Sequence, residues 1–570
     1  MNDKVTEYRQ ADQPLPAHNV IWPLYGAGFE NLGKDGAMLE VPLPQVGANQ
    51  LLVRHDAVGI CFSDIKIMKL GQEHPRIYRD MRTAPVVMGH EVSMTVVAVG
   101  ENLRDKYRVG DRFIIQADVY VNGVGYAYGY EIDGGFSMYG LIDERILQGD
   151  EGNYLLAVQP DKGYAESALT EPWACVIAAN RLTYRTALKP GGTTWIIGAD
   201  PSDTRPYTIS AGFDGVSHPA TLLLSRVPAP FEAWLRERAA QLGIAVHEAP
   251  DLSAPPVEMI DDIVLLGADA DALEASSRFL ANGGVFAVVT DTAFSRPVQI
   301  DIGRVHYNNW VYVGGSSPDI ARAYSDLPVR SELRKGGCAW FVGAAGPMGR
   351  MHVQRAIQMI DPPSEIVCTD VSQARLDDLY NSFAAEATER GISFVCTNPT
   401  TPEGKAIMQK YKVNGFDDII VLAPVAALVS DCATYLAQDG VMNIFAGVAR
   451  GVMATLDASD FALKRTRHIG QSGSTIEDLR VMLEQGEAGI ISRNRSVAAV
   501  GSLDALPDGL RAVQDAVFPG KVVIFPHIRH LPLTPLADLK KVLPSVHARL
   551  KDGREWTVEA EEELLRVMLP

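Results

Sequence analysis

An internal repeat in the middle of the chain limits its possible folds more than any other feature. Gly191-Gly192 precedes an apolar run that ends at Gly198, and Gly336-Gly337 precedes a second run that ends at Gly343. Two more blocks recur in the same order: Asp261-Asp262-Ile-Val-Leu-Leu with Asp417-Asp418-Ile-Ile-Val-Leu, and Leu280-Ala-Asn-Gly-Gly-Val with Leu436-Ala-Gln-Asp-Gly-Val. Each unit of roughly 140 residues alternates strand and helix patterns, which predicts two parallel α/β domains that arose by duplication. We call residues 181–330 copy one and residues 331–495 copy two.

Only copy two keeps the sequence of a phosphate-binding turn. Its first strand runs into Gly343-Ala-Ala-Gly346-Pro347-Met348-Gly349, an amphipathic helix follows, and a second strand ends at Asp370. Glycines let the backbone approach a pyrophosphate, and the helix N-terminus offers free N–H groups. A carboxylate about twenty residues further on accepts hydrogen bonds from a ribose 2′-hydroxyl and repels a 2′-phosphate. We therefore predict that copy two binds NAD through these residues and Arg375.

Copy one departs from this pattern. At the position of the glycine turn it reads Gly198-Ala-Asp200-Pro-Ser-Asp203, and Ser225 stands where copy two has its ribose-binding carboxylate. Two carboxylates at this position repel the phosphates of a dinucleotide. Ser225 and Arg226 could together hold a 2′-phosphate, but the glycines are absent. The sequence predicts a degenerate nucleotide fold for copy one.

Charge and cysteine content narrow the class of function. The 570 residues carry a formal net charge of -18 at pH 7, which argues against binding to nucleic acid or to an anionic membrane surface. The six cysteines are scattered without a C-x-x-C pair, which is typical of a reducing compartment without disulfides. The N-terminus is polar, and the longest apolar run, residues 419–429, is shorter than the roughly 20 residues of a membrane span. We predict a cytoplasmic protein with a small-molecule substrate.

The N-terminal part contains residue types that bind metals, at loop-like positions. Cys61 is followed about thirty residues later by His90 and Glu91, and Glu171 precedes a helix-like run. A thiolate, an imidazole and carboxylates suit Zn²⁺ and leave a position for water or substrate. Taken singly, each residue also fits a buried thiol, a core histidine or a surface charge. Taken together, they predict one catalytic zinc.

Several motifs in the chain resemble a known family. Residues 38–150 have the β-branched, glycine-rich and proline-rich pattern of an all-β unit. Within them, the segments Val58-Gly-Ile-Cys61-Phe-Ser63-Asp64, Pro85-Val-Val-Met-Gly89-His90-Glu91, Val97-Ala-Val-Gly100 and Val109-Gly-Asp111-Arg-Phe resemble the zinc-dependent medium-chain dehydrogenase/reductase family. More narrowly, the branch of sorbitol dehydrogenase and sorbose 1-phosphate reductase is similar in Gln116-Ala-Asp, Gly129-Tyr130, Glu171-Pro-Trp-Ala-Cys and Phe518-Pro-Gly-Lys-Val-Val-Ile. The resemblance covers nearly the whole chain except copy one.

The resemblance implies a role for each matching residue. Cys61 and His90 would bind zinc, Glu91 and Glu171 would complete the coordination or exchange within it, and Asp64 would orient His90. Ser63 would accept the substrate proton and pass it through the cofactor ribose toward Lys66. Many relatives have a histidine at the position of Lys66, and a solvated lysine is the alternative interpretation. Residues 116–140 lack the four cysteines that hold a structural zinc in many relatives, so we expect one zinc per chain.

The resemblance also implies an architecture. We expect an α/β plus β fold: a GroES-like catalytic β-domain (1–180, completed by 496–570) and two tandem Rossmann-type domains (181–330, degenerate, and 331–495, NAD-binding). Either copy two serves the zinc site and copy one is a structural pseudo-domain, which we favour, or copy one takes the usual place of the nucleotide domain. Because relatives commonly associate through their nucleotide domains, we expect a homo-oligomer, a dimer or a tetramer.

These inferences predict an NAD-dependent zinc dehydrogenase. The branch implies a polyol or sugar substrate with a secondary alcohol or ketone, and Lys69, His74, Arg76 and Arg79 could face a phosphate. A charged loop in water explains those four residues equally well. The alternatives are a zinc lyase or epimerase that uses NAD transiently and a non-catalytic nucleotide sensor.

Overall fold

The chain forms two compact units. A computed structural model describes residues 4–11, 13–325, 330–471 and 473–570. Unit 1 comprises Met1–Ile177, Gly346–Met351 and Gly473–Pro570, and unit 2 comprises Ala178–Ala345 and His352–Ser472. The chain therefore returns to unit 1 at Gly473, earlier than the expected return at residue 496.

The N-terminal part of unit 1 is mostly β-structure, as its sequence pattern predicts. Its strands are β1 His18–Ile21, β2 Pro23–Leu24, β3 Leu39–Pro42, β4 Leu51–Gly59, β5 Val86–Val87, β6 Glu91–Val99, β7 Arg112–Ile115, β8 Tyr120–Val121, β9 Val124–Gly125, β10 Tyr139–Ile142 and β11 Leu155–Ala157. Its helices are α1 Lys4–Gln10, α2 Phe62–Leu70, α3 Glu144–Leu147, α4 Tyr164–Ala168 and α5 Thr170–Ala179, which runs on into unit 2.

Unit 2 contains copy one and most of copy two, whereas Gly346–Met351 and the end of copy two from Gly473 onward belong to unit 1. Copy one contains β12 Thr193–Gly198, β13 Thr221–Ser225, α6 Ala229–Leu242, β14 Ala245–Glu248, β15 Ile260–Leu266, α7 Ala270–Ser277, β16 Leu280–Val289, β17 Val298–Asp301, α8 Ile302–Tyr307, β18 Val311–Gly315 and α9 Ile320–Ser325. Copy two contains β19 Cys338–Val342, α10 Pro347–Gln358, β20 Glu365–Thr369, α11 Gln373–Glu389, β21 Ser393–Thr397, α12 Pro402–Tyr411, β22 Phe416–Val421, α13 Ala426–Ala433, β23 Leu436–Ile444, β24 Met453–Leu456, α14 Ser459–Leu463 and β25 Arg467–Ile469.

The C-terminal part completes unit 1. It consists of α15 Ile476–Glu487, β26 Val497–Ser502, α16 Leu506–Gln514, β27 Lys521–Phe525, β28 Thr534–Pro535, α17 Leu539–Val542, α18 Pro544–His547 and α19 Val558–Met568. Strand β27 pairs with β4, so the end of the chain joins the N-terminal sheet in the order β11-β7-β6-β4-β27-β26-β28, with β10 also on β4. This pairing brings residues more than 400 positions apart into one sheet.

The two copies share one twelve-stranded sheet. Its order is β14-β13-β12-β15-β16-β18 in copy one, continued by β25-β23-β22-β19-β20-β21 in copy two. Strands are parallel within each half, and their continuous apolar runs reflect burial on both faces. The halves meet where β18 pairs antiparallel with β25, and β17 also pairs antiparallel with β24. Each copy therefore covers a sheet edge that the other would otherwise expose.

Each copy has an equivalent ion pair that joins the segment before its first strand to a buried aspartate. In copy one, Nη1 of Arg185 donates to both carboxylate oxygens of Asp262, at 2.8 and 2.9 Å. In copy two, Arg330 makes the same pair with Asp418. Because both aspartates are buried, each needs such a partner to stay charged. The repeat seen in the sequence is thus also a repeat of contacts.

A tryptophan on the first strand of each copy makes a second equivalent contact. Nε1 of Trp195 donates to the Ser225 hydroxyl at 2.8 Å, and Nε1 of Trp340 donates to the Thr369 hydroxyl at 2.8 Å. Each bond joins the first strand to the end of the second strand of its copy. Ser225, predicted only as a lost ribose ligand, therefore has a structural role.

Copy one lacks two helices that copy two has. Residues 199–220, all of which the structure describes, contain no helix, whereas α10 follows the first strand of copy two. Residues 249–259 likewise contain none, where copy two has α12. Tyr207 and Phe213 of the first segment pack instead into the apolar cluster of copy one. The predicted alternation of strand and helix therefore fails at these two places.

Among the described residues, no helix combines the length and the apolar character that a membrane crossing requires.

Candidate active site

Cys61 lies at the start of a helix that fixes its position. Strand β4 ends at Gly59, and Cys61 is the N-cap of α2. Asp64 accepts a hydrogen bond from the Cys61 backbone N–H at 2.9 Å, and the Cys61 side chain faces the Asp64 N–H in return. This reciprocal capping is the arrangement that stabilises helix N-termini. The thiol is therefore held in place by local structure.

His90 and Glu91 stand at the entry of β6, the neighbour of β4. Gly89 has a φ of 96°, and a Cβ there would collide with Phe136, so the turn that delivers His90 requires glycine. Glu91 pairs in register with Gly59. A Cβ at Gly59 would collide with Oε2 of Glu91, so this glycine provides the space for the carboxylate.

Three predicted ligands come together in this corner of unit 1. One ligand atom from each of Cys61, His90 and Glu91 lies within 4.8 Å of the others. Oδ1 of Asp64 is 3.5 Å from Nδ1 of His90, which directs that nitrogen to the carboxylate and leaves Nε2 for a metal. Oδ1 of Asp64, Nδ1 of His90 and Oε2 of Glu91 are buried and lack a hydrogen-bond partner among the described residues. A soft thiolate, an imidazole and a carboxylate with such atoms fit Zn²⁺.

Lys521 is a buried cation beside these ligands that the sequence interpretation missed. Its Nζ donates to Oε1 of Glu91 at 2.5 Å, and both side chains are almost fully buried. Burial alone would lower the pKa of Lys521, but Glu91 and Cys61 raise it above its ordinary value. The pair engages Oε1 of Glu91 and leaves Oε2 available to a metal. The sequence feature that could have revealed this residue is a lysine at the start of the otherwise apolar, fully buried strand β27.

Glu171 lies close to the cluster but outside its 4.8 Å group. Burial raises the pKa of Glu171 to about 7, against the effect of His90 and together with that of Glu91. Its position on α5 therefore puts a carboxylate within electrostatic reach of both residues. This fits a carboxylate that can approach or leave the metal coordination, as the family resemblance implies.

Ser63, proposed as the proton acceptor, hydrogen-bonds to the hydroxyl of Tyr130. Burial raises the pKa of Tyr130 to about 12, so its phenol stays protonated near neutral pH. The Tyr130 ring lies 5.7 Å from the His90 ring and 5.2 Å from the His74 ring. Lys66, the proposed end of the proton path, is exposed one turn further along α2.

The predicted cofactor residues of copy two form a strand, a glycine turn and a helix in that order. Gly343 has a φ of 76°, and its N–H donates to Thr369 O at 2.8 Å. Pro347, Met348 and Gly349 form the first turn of α10, and a Cβ at Gly346 would meet no atom within 4 Å. The turn therefore offers open space at the N-terminus of α10, as a pyrophosphate requires.

Asp370 ends the second strand of copy two next to this turn. Its Oδ2 accepts from the Ala345 N–H at 3.3 Å, and its Oδ1 accepts from the Ser372 N–H at 3.0 Å. The carboxylate is half-buried, so a ribose can still reach it. Arg375 lies in the first turn of α11. The structure thus brings the glycine turn and Asp370 together, whereas Asp200 and Asp203 of copy one have no helix after them.

Comparisons with known proteins agree with this geometry. Residues 47–148 match the alcohol dehydrogenase GroES-like domain. The mannitol-1-phosphate 5-dehydrogenase of Aliivibrio fischeri is 23% identical over 93% of this chain and 95% of its own length. The L-sorbose 1-phosphate reductase of Klebsiella pneumoniae is 27% identical over 51% of this chain and 76% of its own length. The solved alcohol dehydrogenase of Thermotoga maritima covers 89% of this chain and 99% of its own at 13% identity and a TM-score of 0.50, which shows a shared fold.

The chain thus contains an alcohol dehydrogenase GroES-like domain at residues 47–148 and is similar over most of its length to a polyol-phosphate dehydrogenase. The predicted resemblance to zinc-dependent dehydrogenases and the fold class of a GroES-like domain with Rossmann-type sheets are thereby confirmed, and the similar proteins agree with the predicted assignment as a dehydrogenase.

The basic residues that the sequence offered for a phosphate divide into two groups in the dehydrogenase. Arg79 donates to Asp133 at 3.1 Å and to Pro85 O at 3.2 Å, and it also contacts Glu131, so it holds the loop around residues 131–133. Lys69 lies over the ring of Phe62, with 5.6 Å between Nζ and the ring centroid. His74 and Arg76 instead lie near Tyr130. We therefore take His74 and Arg76 as the candidates for contact with a substrate.

Proposed function

We propose that the dehydrogenase interconverts a secondary alcohol and a ketone of a polyol or sugar, with NAD(H) as the hydride carrier and one zinc ion per chain. The observation that carries the proposal is the group of Cys61, His90 and Glu91, three different ligand types within 4.8 Å with unpartnered buried atoms. The intact glycine turn of copy two and Asp370 supply the cofactor part. The named relatives, a mannitol-1-phosphate dehydrogenase and a sorbose 1-phosphate reductase, support a polyol or sugar substrate.

Four residues would hold the metal in this proposal. Cys61 and His90 would bind it, Oε2 of Glu91 would be a third ligand, and Glu171 would complete or exchange in the coordination. Bound zinc would supply a Lewis acid for the substrate oxygen, and the nicotinamide would supply a hydride acceptor. Asp64 keeps the His90 ring in one orientation, since a carboxylate at Nδ1 fixes the tautomer.

Ser63 and Tyr130 together remove the proton of the substrate hydroxyl. The Ser63 hydroxyl accepts that proton while its hydrogen bond to the protonated Tyr130 phenol keeps it oriented. The Ser63 hydroxyl releases its own proton in turn, and the solvent around the exposed Lys66 receives that proton. Asp370 makes NAD the preferred cofactor, because its carboxylate repels a 2′-phosphate.

The test is a spectrophotometric screen of the full-length protein with polyols and NAD. Net formation of NADH supports the proposal, and conversion of a sugar without net NADH would instead indicate an epimerase or lyase. No conversion of any polyol or keto-sugar with either nucleotide would refute the proposal.

Metal analysis tests the ligand assignment separately. We expect Cys61→Ser to lose most of its bound zinc in elemental analysis and to lower activity by more than about 100-fold, because a thiolate ligand becomes a neutral hydroxyl. Cys338→Ser, a cysteine of copy two outside the cluster, is the matched control and should keep both. Full zinc occupancy in Cys61→Ser would contradict the site.

A further inference from the structure

Arg76 is a fixed cation near the proposed reaction site. Its Nη1 pairs with Asp118, and its Nη2 lies 3.5 Å from the Tyr120 hydroxyl. Its backbone N–H donates to Nδ1 of His74 at 3.3 Å. About a third of the Arg76 side chain remains exposed. The guanidinium is therefore held in one direction by its partners while part of it can still contact a ligand.

A row of rings connects Arg76 to the predicted metal ligands. The His90 ring is 5.7 Å from the Tyr130 ring, the Tyr130 ring is 5.2 Å from the His74 ring, and His74 contacts Arg76. A polyol chain of five or six carbons can follow such a row, with its hydroxyls toward Tyr130 and His74. Its reacting carbon and its far end would then lie at opposite ends of the row.

The charge at the far end is positive. Burial, together with Arg76 and Lys66, lowers the pKa of His74 to about 4, so this imidazole is neutral at pH 7 and both cations lie near it. Arg76 pairs with Asp118, and Lys66 is exposed on α2. In a chain with a net charge of -18, such a local excess of positive charge is what an anionic substrate needs.

We propose that Arg76, oriented by Asp118 and assisted by Lys66, binds the phosphate of a phosphorylated polyol or keto-sugar whose opposite end reacts beside His90. This inference rests on the proposed function and adds the class of substrate. Arginine is suited to the role because its planar fork donates two parallel hydrogen bonds to a phosphate. Asp118 is a positioning residue here, and Arg79 and Lys69 are not part of this phosphate subsite.

The decisive experiment compares polyol phosphates with the same polyols lacking phosphate. We expect the wild type to prefer hexitol or pentitol phosphates, and Arg76→Ala to raise their KM by about 10- to 100-fold, the loss of a charge-assisted hydrogen bond. Activity on the unphosphorylated polyol should change by no more than about twofold, because the lost contact touches only phosphate. Arg76→Lys should be intermediate, since a lysine binds phosphate as a point charge.

Arg82→Ala is the matched control, because Arg82 lies in the same segment, is 84% exposed and pairs with Asp80. It should leave both substrates unchanged. An equal loss on both substrates in Arg76→Ala, an unchanged KM for the phosphate ester, or no preference for phosphate in the wild type would each overturn the subsite.

Calorimetric titration with a hexitol phosphate separates this inference from the proposed function. If the protein turns over nothing, binding that Arg76→Ala weakens and Arg82→Ala preserves would still support the subsite while the proposed reaction fails. Absence of binding by the wild type would refute the subsite whatever the turnover data show.

Discussion

The two copies differ far more in their ligand-binding elements than in their internal supports. Both keep the buried arginine–aspartate pair at their entry, and both keep a tryptophan bonded to the end of the second strand. Copy two has Gly343 with a positive φ, a helix after it and Asp370 beside it. Copy one has Asp200 in the turn and no helix over residues 199–220. A copy of this fold can therefore keep the contacts that stabilise its sheet while it lacks the residues that would bind a nucleotide.

The largest effect is expected where the copies agree. Asp262→Ala and Asp418→Ala should each lower the free energy of unfolding of unit 2 by about 2–4 kcal/mol, because each leaves a partly buried arginine without its buried partner. Calorimetric melting of both variants gives the measurement. Asp271→Ala is the control, since its carboxylate is 90% exposed and such pairs contribute at most about 1 kcal/mol. A large loss in only one of the two variants would show that the supports are not equivalent.

An intermediate effect is expected where copy two alone has a ligand group. Asp370→Ser should weaken NAD binding by about 10- to 100-fold and reduce the preference for NAD over NADP, because the ribose loses a charged hydrogen-bond acceptor. Fluorescence titration with NADH and NADPH measures both quantities. Zinc content and melting temperature should stay at wild-type values. Unchanged NADH affinity would show that the dinucleotide binds elsewhere.

The smallest effect is expected in copy one. Asp200→Ala removes an exposed carboxylate from the position where phosphates would lie, yet it should change NADH affinity by less than about twofold, because no helix follows to receive a pyrophosphate. Calorimetric titration should give one NADH per chain for the wild type and for this variant. A second equivalent of bound NADH in the variant would mean that the carboxylate alone keeps copy one empty.

Local patterns made much of this molecule predictable. Buried parallel strands have continuous apolar sequences, so the repeat by itself indicates two α/β copies. A helix cap positions Cys61 and Asp64, and a glycine turn positions His90. Both elements can be recognised from the residues next to them in the sequence. The missing helix after the first strand of copy one also left a signal, since Pro201, Pro206, Gly212 and Gly215 interrupt residues 199–220.

Contacts between distant segments could not be predicted in the same way. Lys521 and Glu91 are 430 residues apart, and nothing in the sequence of either segment indicates that the two side chains form an ion pair. The antiparallel pairing of β18 with β25 is equally hidden, because β25 is only three residues long and nothing in its sequence specifies a partner strand or a register. The approach of His74 and Arg76 to Tyr130 depends on how two loops fold against each other.

The joint between β18 and β25 has a consequence for how this protein can vary. In an assembly of two identical chains, every substitution appears twice, so a change that abolishes one nucleotide site abolishes both. Here the two halves of the sheet are different segments of one chain. A substitution in one half is therefore not repeated in the other. This arrangement leaves one half free to serve only as a support, while the other keeps the residues that we propose to bind the nucleotide.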